Sequence, residues 1–274
     1  MNAENYFISL FASTSGAVGD DGALLGKYVY SKDAFFENVH FKRSWMTLEQ
    51  IAYKAMIVNI SDAYAMNAVP RYALLAVAMP KRMSTSDMQA LHRGFDRAAK
   101  EHGIEIIGGD TIANVKLDIS VTIISECYRP LLRSGLKRGH LLAYTGRLGR
   151  SRRELRYLMN GGVVHDRSKF VASQLRHAFV EKATPSLSCG MDISDGLFSD
   201  LEKLADANRL GFKFDKPVSK CIGCSGEEYE MLIGFDPRQR KRVKRIAQKL
   251  RVPLTIVAKA KRGRFKNRCK AHHF

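Results

Sequence analysis

The chain sets 27 Asp and Glu against 45 Lys and Arg in 274 residues, so the places its acids occupy are informative. Several stand beside glycine or serine at the ends of apolar runs: Gly19-Asp20-Asp21-Gly22, Ser61-Asp62, Gly108-Gly109-Asp110-Thr111 and Asp192-Ile193-Ser194-Asp195-Gly196. A carboxylate at such a junction is held rigidly and can reach a ligand. Carboxylates brought together repel and raise one another's pKa unless a cation joins them. Hard oxygen donors of this kind suit Mg²⁺, which keeps several waters and meets substrate phosphates through one or two carboxylates per ion. The chemistry expected is metal-assisted work on phosphates.

Each site also has a purely structural reading. Asp20 or Asp21 can form a turn before Gly22. Asp62 follows an apolar stretch inside a helical pattern, where it could make a buried hydrogen bond between helices. Asp110 can cap a strand end, and Asp195 before Gly196 and Leu197 can cap a helix whose N-terminus also receives phosphate. Four such sites in one chain are harder to explain as caps. Spacing alone does not separate a kinase from a metal-dependent phosphatase. A GxxxxGK[ST] loop is absent, as is the protein-kinase motif set, so neither nucleotide site is expected.

Helices and strands alternate along the elements that must position these acids. Thr47 and Gln50 have capping-box spacing and open a helix running towards Met66, and Pro70 forces a break. Residues 72–79 read as a strand, and 84–102 as a helix capped by Gly103. A short strand at 104–107 ends in Gly108-Gly109-Asp110; 117–126 and 141–145 are further strands. Helices are expected at 152–159, at 168–180 and after Asp195, where Leu197, Leu201 and Leu204 share a face. Residues 212–214 and 231–235 read as strands. A boundary near Gly146 divides the chain into lobes 1–146 and 147–274, an α+β, two-lobed architecture.

The net charge of +18 is concentrated: fifteen Lys and Arg lie between Arg238 and Lys270, with no acid after Asp236. That could be a nucleic-acid arm. The periodicity favours a folded piece instead, because Val243, Ile246, Ala247 and Leu250 form one helical stripe and 252–258 follows as a strand. A small anionic partner is expected in preference to nucleic acid. The five cysteines, Cys127, Cys189, Cys221, Cys224 and Cys269, are expected as reduced cytoplasmic thiols, and the single CxxC pair does not complete a zinc site. The apolar run 6–12 is read as the first structural element, and no run reaches the length of a membrane helix.

The order and wording of the motifs resemble the thiamine-monophosphate kinase family of the aminoimidazole-ribonucleotide synthetase-like superfamily. The matching pieces are Val18-Gly19-Asp20-Asp21-Gly22-Ala23-Leu24-Leu25, Ser31-Lys32-Asp33 with His40-Phe41, and Ala52-Tyr53-Lys54-Ala55 with Val58-Asn59-Ile60-Ser61-Asp62 and Ala65-Met66. Gly108-Gly109-Asp110-Thr111, Arg133-Ser134-Gly135, Met191-Asp192-Ile193-Ser194-Asp195-Gly196-Leu197 and Ser225-Gly226-Glu227-Glu228-Tyr229-Glu230 complete them in family order. The resemblance implies a PurM-like fold, with an N-terminal lobe whose mixed sheet forms a dimer barrel and a C-terminal α+β lobe over a cleft. It implies in-line transfer of the ATP γ-phosphate to thiamine monophosphate by a homodimer. By motif position, Asp21, Ser31, Lys32 through its backbone, Asp33, Asp62, Asp110, Asp192 and Asp195 would hold several Mg²⁺ ions. Gly109, Asp110, Arg133 and Ser194 would contact ATP, and His40 and Glu227 the thiamine phosphate.

The chain departs from the family in places. Lys32 stands where a metal-shell threonine is usual, and Glu228 where an aspartate follows Glu227. The C-terminal aromatic that stacks on thiamine has no counterpart among Ala271, His272, His273 and Phe274, and its role is assigned to neither Phe265 nor Phe274. The chain is short between about residues 146 and 185. The other readings are a relative with another acceptor, of the aminoimidazole ribonucleotide or selenophosphate synthetase type, and a non-catalytic nucleic-acid-binding protein. A selenophosphate synthetase needs a cysteine or selenocysteine near the N-terminus, whereas the first here is Cys127.

Overall fold

In the computed structural model, residues 3–12 and 16–269 are described. After a short N-terminal helix, α1 (Ala3–Ala12), the chain enters a mixed sheet of β1 (Ala23–Leu25), β2 (Tyr28–Phe36), β3 (Val69–Pro80), β4 (Glu105–Asn114) and β5 (Asp118–Glu126), in the order β1-β2-β5-β3-β4. Two helices cover one face: α2 (Leu48–Ala65), between β2 and β3, and α3 (Thr85–His102), between β3 and β4. The β3–β4 pair is parallel, as a strand–helix–strand crossover requires; the other pairs are antiparallel.

The first lobe's core lies between this sheet and α2, around Phe35, Ile51, Met56, Ile57, Ile60, Ile119, Val121 and Ile123. Thr47 and Gln50 form the expected capping box, Ser84 and Asp87 form another, and Gly103 ends α3 in the left-handed conformation. α2 is buried on nearly every side, touching the sheet, α3 and the second lobe. Two expectations are corrected here. Pro70 lies inside β3, where a register shift between Pro70 and Tyr72 absorbs its missing donor. The strand expected at 104–107 runs on through Gly108-Gly109-Asp110 to Asn114, so Asp110 sits in mid-strand, opposite Ala76.

The second sheet is antiparallel, with order β7-β9-β6-β10-β8: β6 (Leu141–Thr145), β7 (Cys189–Asp192), β8 (Gly211–Phe214), β9 (Met231–Phe235) and β10 (Leu254–Lys261). Its helices are α4 (Arg150–Met159), α5 (His177–Ala183), α6 (Leu197–Asn208), the single turn α7 (Lys220–Gly223) and α8 (Arg240–Lys249). The basic segment is the folded helix and strand that its periodicity indicates: Val243 and Ala247 of α8 are buried beside β6, β9 and α5 residues. The helix expected at 168–180 is reduced to turns and α5, because Phe170 and Val171 leave helical spacing to plug the first lobe's core. The changeover between sheets falls between Glu126 and Leu141, earlier than residue 146, while Leu155, Leu158, Phe170 and Leu175 return to the first core. Among the described residues no helix is long and apolar enough to cross a membrane.

The cysteine expectation is also corrected. Cys224 and Cys269 are joined in a disulfide, with Cα atoms 5.6 Å apart, while Cys127 and Cys189 are free and buried and Cys221 is free and exposed. The chain after β10 folds back over α6, where the Asn267 N–H donates to Glu202 and the Asn267 side-chain amide to Ser199, and this brings Cys269 to the end of α7. Phe265 is part of that packing, among Phe198, Phe212 and Phe214, so it is a core residue. Ala271, His272, His273 and Phe274 lie outside the described residues.

Gly94 in mid-α3 shows how tightly the first lobe is built. A Cβ there would lie 2.2 Å from the Glu49 carbonyl and 2.8 Å from the Ala52 side chain on α2. Gly94→Ala should therefore destabilise the protein by about 1–3 kcal/mol in urea unfolding, although alanine is the better helix former. A gain in stability would mean that the two helices are not in this contact.

Candidate active site

Four segments from both lobes converge between the sheets. Asp21 lies on the loop before β1, Asp33 on β2 facing the helices, Asp62 in the last turn of α2, and Asp192 at the end of β7. The carboxylate oxygens of Asp21, Asp62 and Asp192 lie within 4.8 Å of one another. Asp33 shares a hydrogen bond with Asp62, and Asp195 is close enough to act on Asp33 electrostatically. Five of the six expected aspartates thus meet although they are scattered along the chain.

The local structure explains the convergence. Alternation along β2 turns Asp33 inward with Val29, Ser31 and Phe35, and leaves Lys32 on the open face, where its ammonium bonds Ser120 and Thr122. The Lys32 side chain is therefore remote from the cluster, and only its backbone is available. Ser31 is buried and donates to Asn59 of α2, which fixes β2 to the helix. Ser61 donates to Asp192 at 2.6 Å, joining α2 to the second lobe. Gly196, at φ 98°, turns the chain sharply between Asp195 and α6.

Two cations brace the cluster. Arg133 contacts Asp21 through Nε (3.1 Å) and Nη2, donates its backbone N–H to Asp20 at 2.6 Å, and gives Nη1 to the Gly19 carbonyl. Lys203 bonds Asp195 at 2.6 Å and the fully buried Asp200 at 3.0 Å. The sequence reading missed Asp200, Lys203 and the contact of Asp20. Asp200 had a signal: it falls within the apolar stripe of Leu197, Leu201 and Leu204, where a charge needs a reason.

Seven carboxylates, Asp20 included, against two cations leave the site overcharged. Burial, then Asp33, Asp192 and Asp21, push the Asp62 carboxyl well above the ordinary range. Burial and Asp21 do the same for Asp192, against the Ser61 hydrogen bond. Burial pushes Asp33 up to about 6, with Asp21 and Asp195 adding to it, and Asp200 to about 6 against Lys203. A closely set group of hard oxygen donors, several of them held above the ordinary carboxylate range by burial and by one another, fits divalent Mg²⁺. Asp21, Asp33, Asp62, Asp192 and Asp195 are the residues that would hold it.

Asp110 is not with them. It is exposed on the outermost strand, accepts only from the N–H of Thr111 among its described hydrogen bonds, and is three strands from β2, about 14 Å away at the usual spacing. Gly109 packs so closely on the Leu75 backbone that a Cβ would lie 1.7 Å from its carbonyl, which requires glycine.

A cavity of about 660 Å³ includes Ser194, which lies between Asp192 and Asp195 in the chain, in its lining. Trp45 and Phe170 give it aromatic walls, Leu155 and Met159 apolar ones, and Arg152, Arg156 and Arg268 a cationic rim. His40 and Glu227, the two residues that motif position assigns to the thiamine phosphate, both line it. His40 accepts the Phe36 N–H through Nδ1. Trp45 and the arginines were not singled out in the sequence.

Folding raises the pKa of Asp33 and Asp200 from about 4 to about 6, so the stability they contribute is full below the unfolded value and is lost as pH rises through 6. In EDTA, the thermal midpoint should fall as pH is raised from about 5 to about 8, and Mg²⁺ should restore more of it at the upper end. A midpoint that climbs over that range and ignores Mg²⁺ would show that the acids are not a cation site.

A family model described as "AIR synthase related protein, N-terminal domain" matches residues 19–127. The thiamine-monophosphate kinase of Bacillus subtilis is 31% identical over 72% of this chain and 66% of its own length. That of Aquifex aeolicus is 31% identical over 73% of this chain and 68% of its own, so the matched region spans about two thirds of these relatives. A solved structure of AaThiL complexed with AMPPCP and TMP superposes with a TM-score of 0.87 at 24% identity, over 100% of this chain and 99% of that one, the same fold throughout. With its aspartates gathered as the motif order implies, the chain belongs to the thiamine-monophosphate kinase family.

Proposed function

We propose that the protein transfers the γ-phosphate of ATP in line to the phosphate of thiamine monophosphate, giving thiamine diphosphate and ADP. The observation that carries this reading is the neighbourhood of two unlike sites: a carboxylate cluster and an aromatic-walled cavity lined by Glu227 and by Ser194, two residues from Asp192. Donor and acceptor are both anionic, and bound Mg²⁺ would relieve their repulsion and neutralise charge on the transferred group. The chain's own part is alignment. Arg133 is held by Asp21 and Asp20 with its guanidinium towards the cluster, on the nucleotide side. Ser194, between Asp192 and Asp195 in the chain, lines the cavity. Trp45 and Phe170 give the acceptor's flat ring apolar contact, and Glu227 and His40 give it polar contact. No general base is assigned, because a phosphate monoester is already ionised near neutral pH.

We infer also that two copies form the working unit, and that this is where Asp110 acts. β4 is a ten-residue edge strand that exposes Ile106, Ile107 and Ile112 beside Val69, Tyr72 and Leu74 of β3. Such an edge invites pairing. β1 covers β2 only at residues 28–30, so among the described residues no strand lies beside the outer edge of β2 beyond Tyr30. Laying β4 of a second copy along that edge would close a barrel and carry Gly109 and Asp110 towards the cluster of the first. ATP would then lie at the junction.

Purified protein with Mg²⁺ and ATP is expected to form ADP in proportion to added thiamine monophosphate, and Asp192→Asn to abolish it while the chain stays folded. No substrate-dependent ADP from folded wild-type protein would end the proposal. Asp110→Asn and Asp192→Asn chains, each inactive alone, should regain about a quarter of wild-type activity when co-refolded, because one site of each mixed dimer keeps both acids. Complete inactivity of the mixture would place Asp110 in its own chain's site, and an active Asp110→Asn chain on its own would place it outside any site.

A further inference from the structure

Lys54 is a charge where the fold would be content with none. It lies in the middle of α2, 2% exposed, with its ammonium 3.5 Å above the Phe170 ring and 5.7 Å from that of Phe35. Burying an ammonium is costly unless a partner answers it. The partner is Glu227 of the second lobe, whose Oε2 is 2.8 Å away.

The backbone of Glu227 is held too. It has φ 54°, outside the range most side chains prefer, and its N–H donates to the Ser194 carbonyl at 2.6 Å. Two residues on, Tyr229 has φ 49° and its N–H donates to Ile193. The neighbouring acids are clamped within the chain's second half: Glu228 by Lys169, Glu230 by Lys169 and Arg176. Of the three, Glu227 alone is held by α2, and it is the one that lines the cavity.

Lys54 has a counterpart on the same helix. Ser61, seven residues later and so two turns along the same face, donates to Asp192. α2 thus grips the second lobe at the cavity by Lys54 and at the carboxylate cluster by Ser61, about 10 Å apart along the axis.

We propose that Lys54 is a positioning residue for the acceptor: by occupying one oxygen of Glu227 it aims the other into the cavity, at the electron-poor, amino-bearing ring of the substrate. Lys54 does not itself line the cavity and has no role in the transfer step. This rests on the kinase reading above.

The test is a double-mutant cycle on the full chain. Lys54→Met keeps the stem over Phe170 and removes the charge. It is expected to raise the KM for thiamine monophosphate about ten-fold or more while kcat and the KM for ATP stay within about two-fold. Lys54→Arg, which keeps the charge with a different reach, should fall between wild type and Lys54→Met. Added to Glu227→Gln, Lys54→Met should cost little further, because its partner is already altered. Binding is read without turnover from the fluorescence of Trp45, the chain's single tryptophan, as thiamine monophosphate is added. Unchanged acceptor KM in both Lys54 variants, or penalties that multiply in the double variant, would overturn the proposal and leave the kinase reading standing. Wild-type protein that neither binds nor turns over thiamine monophosphate would remove both. Should Lys54→Met not fold, Lys54→Arg alone and with Glu227→Gln decides by the same criteria.

Discussion

Mutual repulsion among carboxylates forced together is the constraint around which this molecule is arranged. Asp21, Asp33, Asp62 and Asp192 arrive from a loop, a strand, a helix end and a second sheet, and the chain offers them little relief: one guanidinium at Asp21 and one ammonium at Asp195 and Asp200. A fold does not keep such a concentration of like charge for stability. It holds it because α2 cannot relax: the helix is packed against β2 and β5 on one side, α3 on another and β7 at its end. Cations entering there would offset the free energy spent on crowding the acids, so that binding would be tied to the rigidity of one helix.

Much of this was legible in the sequence, for physical reasons that differ by element. The ends of α2 and α3 could be read because capping chemistry is local: Thr47 with Gln50, Ser84, and Gly103 each act within one turn. The basic C-terminal segment could be read because its apolar stripe survives among many charges. What could not be read were features set by distant partners. β4 continued past Gly108 because β3 lay alongside to pair with it, and Pro70 was tolerated in a strand because the register gave way there. Phe170 left its helix for a hole in another lobe's core.

The site followed the same rule. Motif order identified Asp21, Asp33, Asp62, Asp192 and Asp195, and the fold brought them together. Asp110 belonged to the same pattern but stands apart within one chain, on the edge strand β4, because motif order carries no information about distance across a sheet. Asp200 and Lys203 went unread since their contact lies in the cluster's outer layer, and Trp45 because an aromatic beside a helix start is more often core than cavity wall. Lys54 was part of a motif without a task, and its meaning depends on Glu227, 173 residues away.

The cross-link between Cys224 and Cys269 joins residues 45 apart and closes β9, α8 and β10 into a ring whose clasp forms part of the cavity's wall. Closing a ring of that size withdraws about 4 kcal/mol of conformational freedom from the denatured chain in the entropic account. The same bond that restrains the unfolded polymer also tethers Arg268 beside the place where an acceptor would sit. Thiol reductants in a buffer thus bear on two properties at once: how firmly the C-terminal half resists melting, and how well defined the mouth of the cavity is.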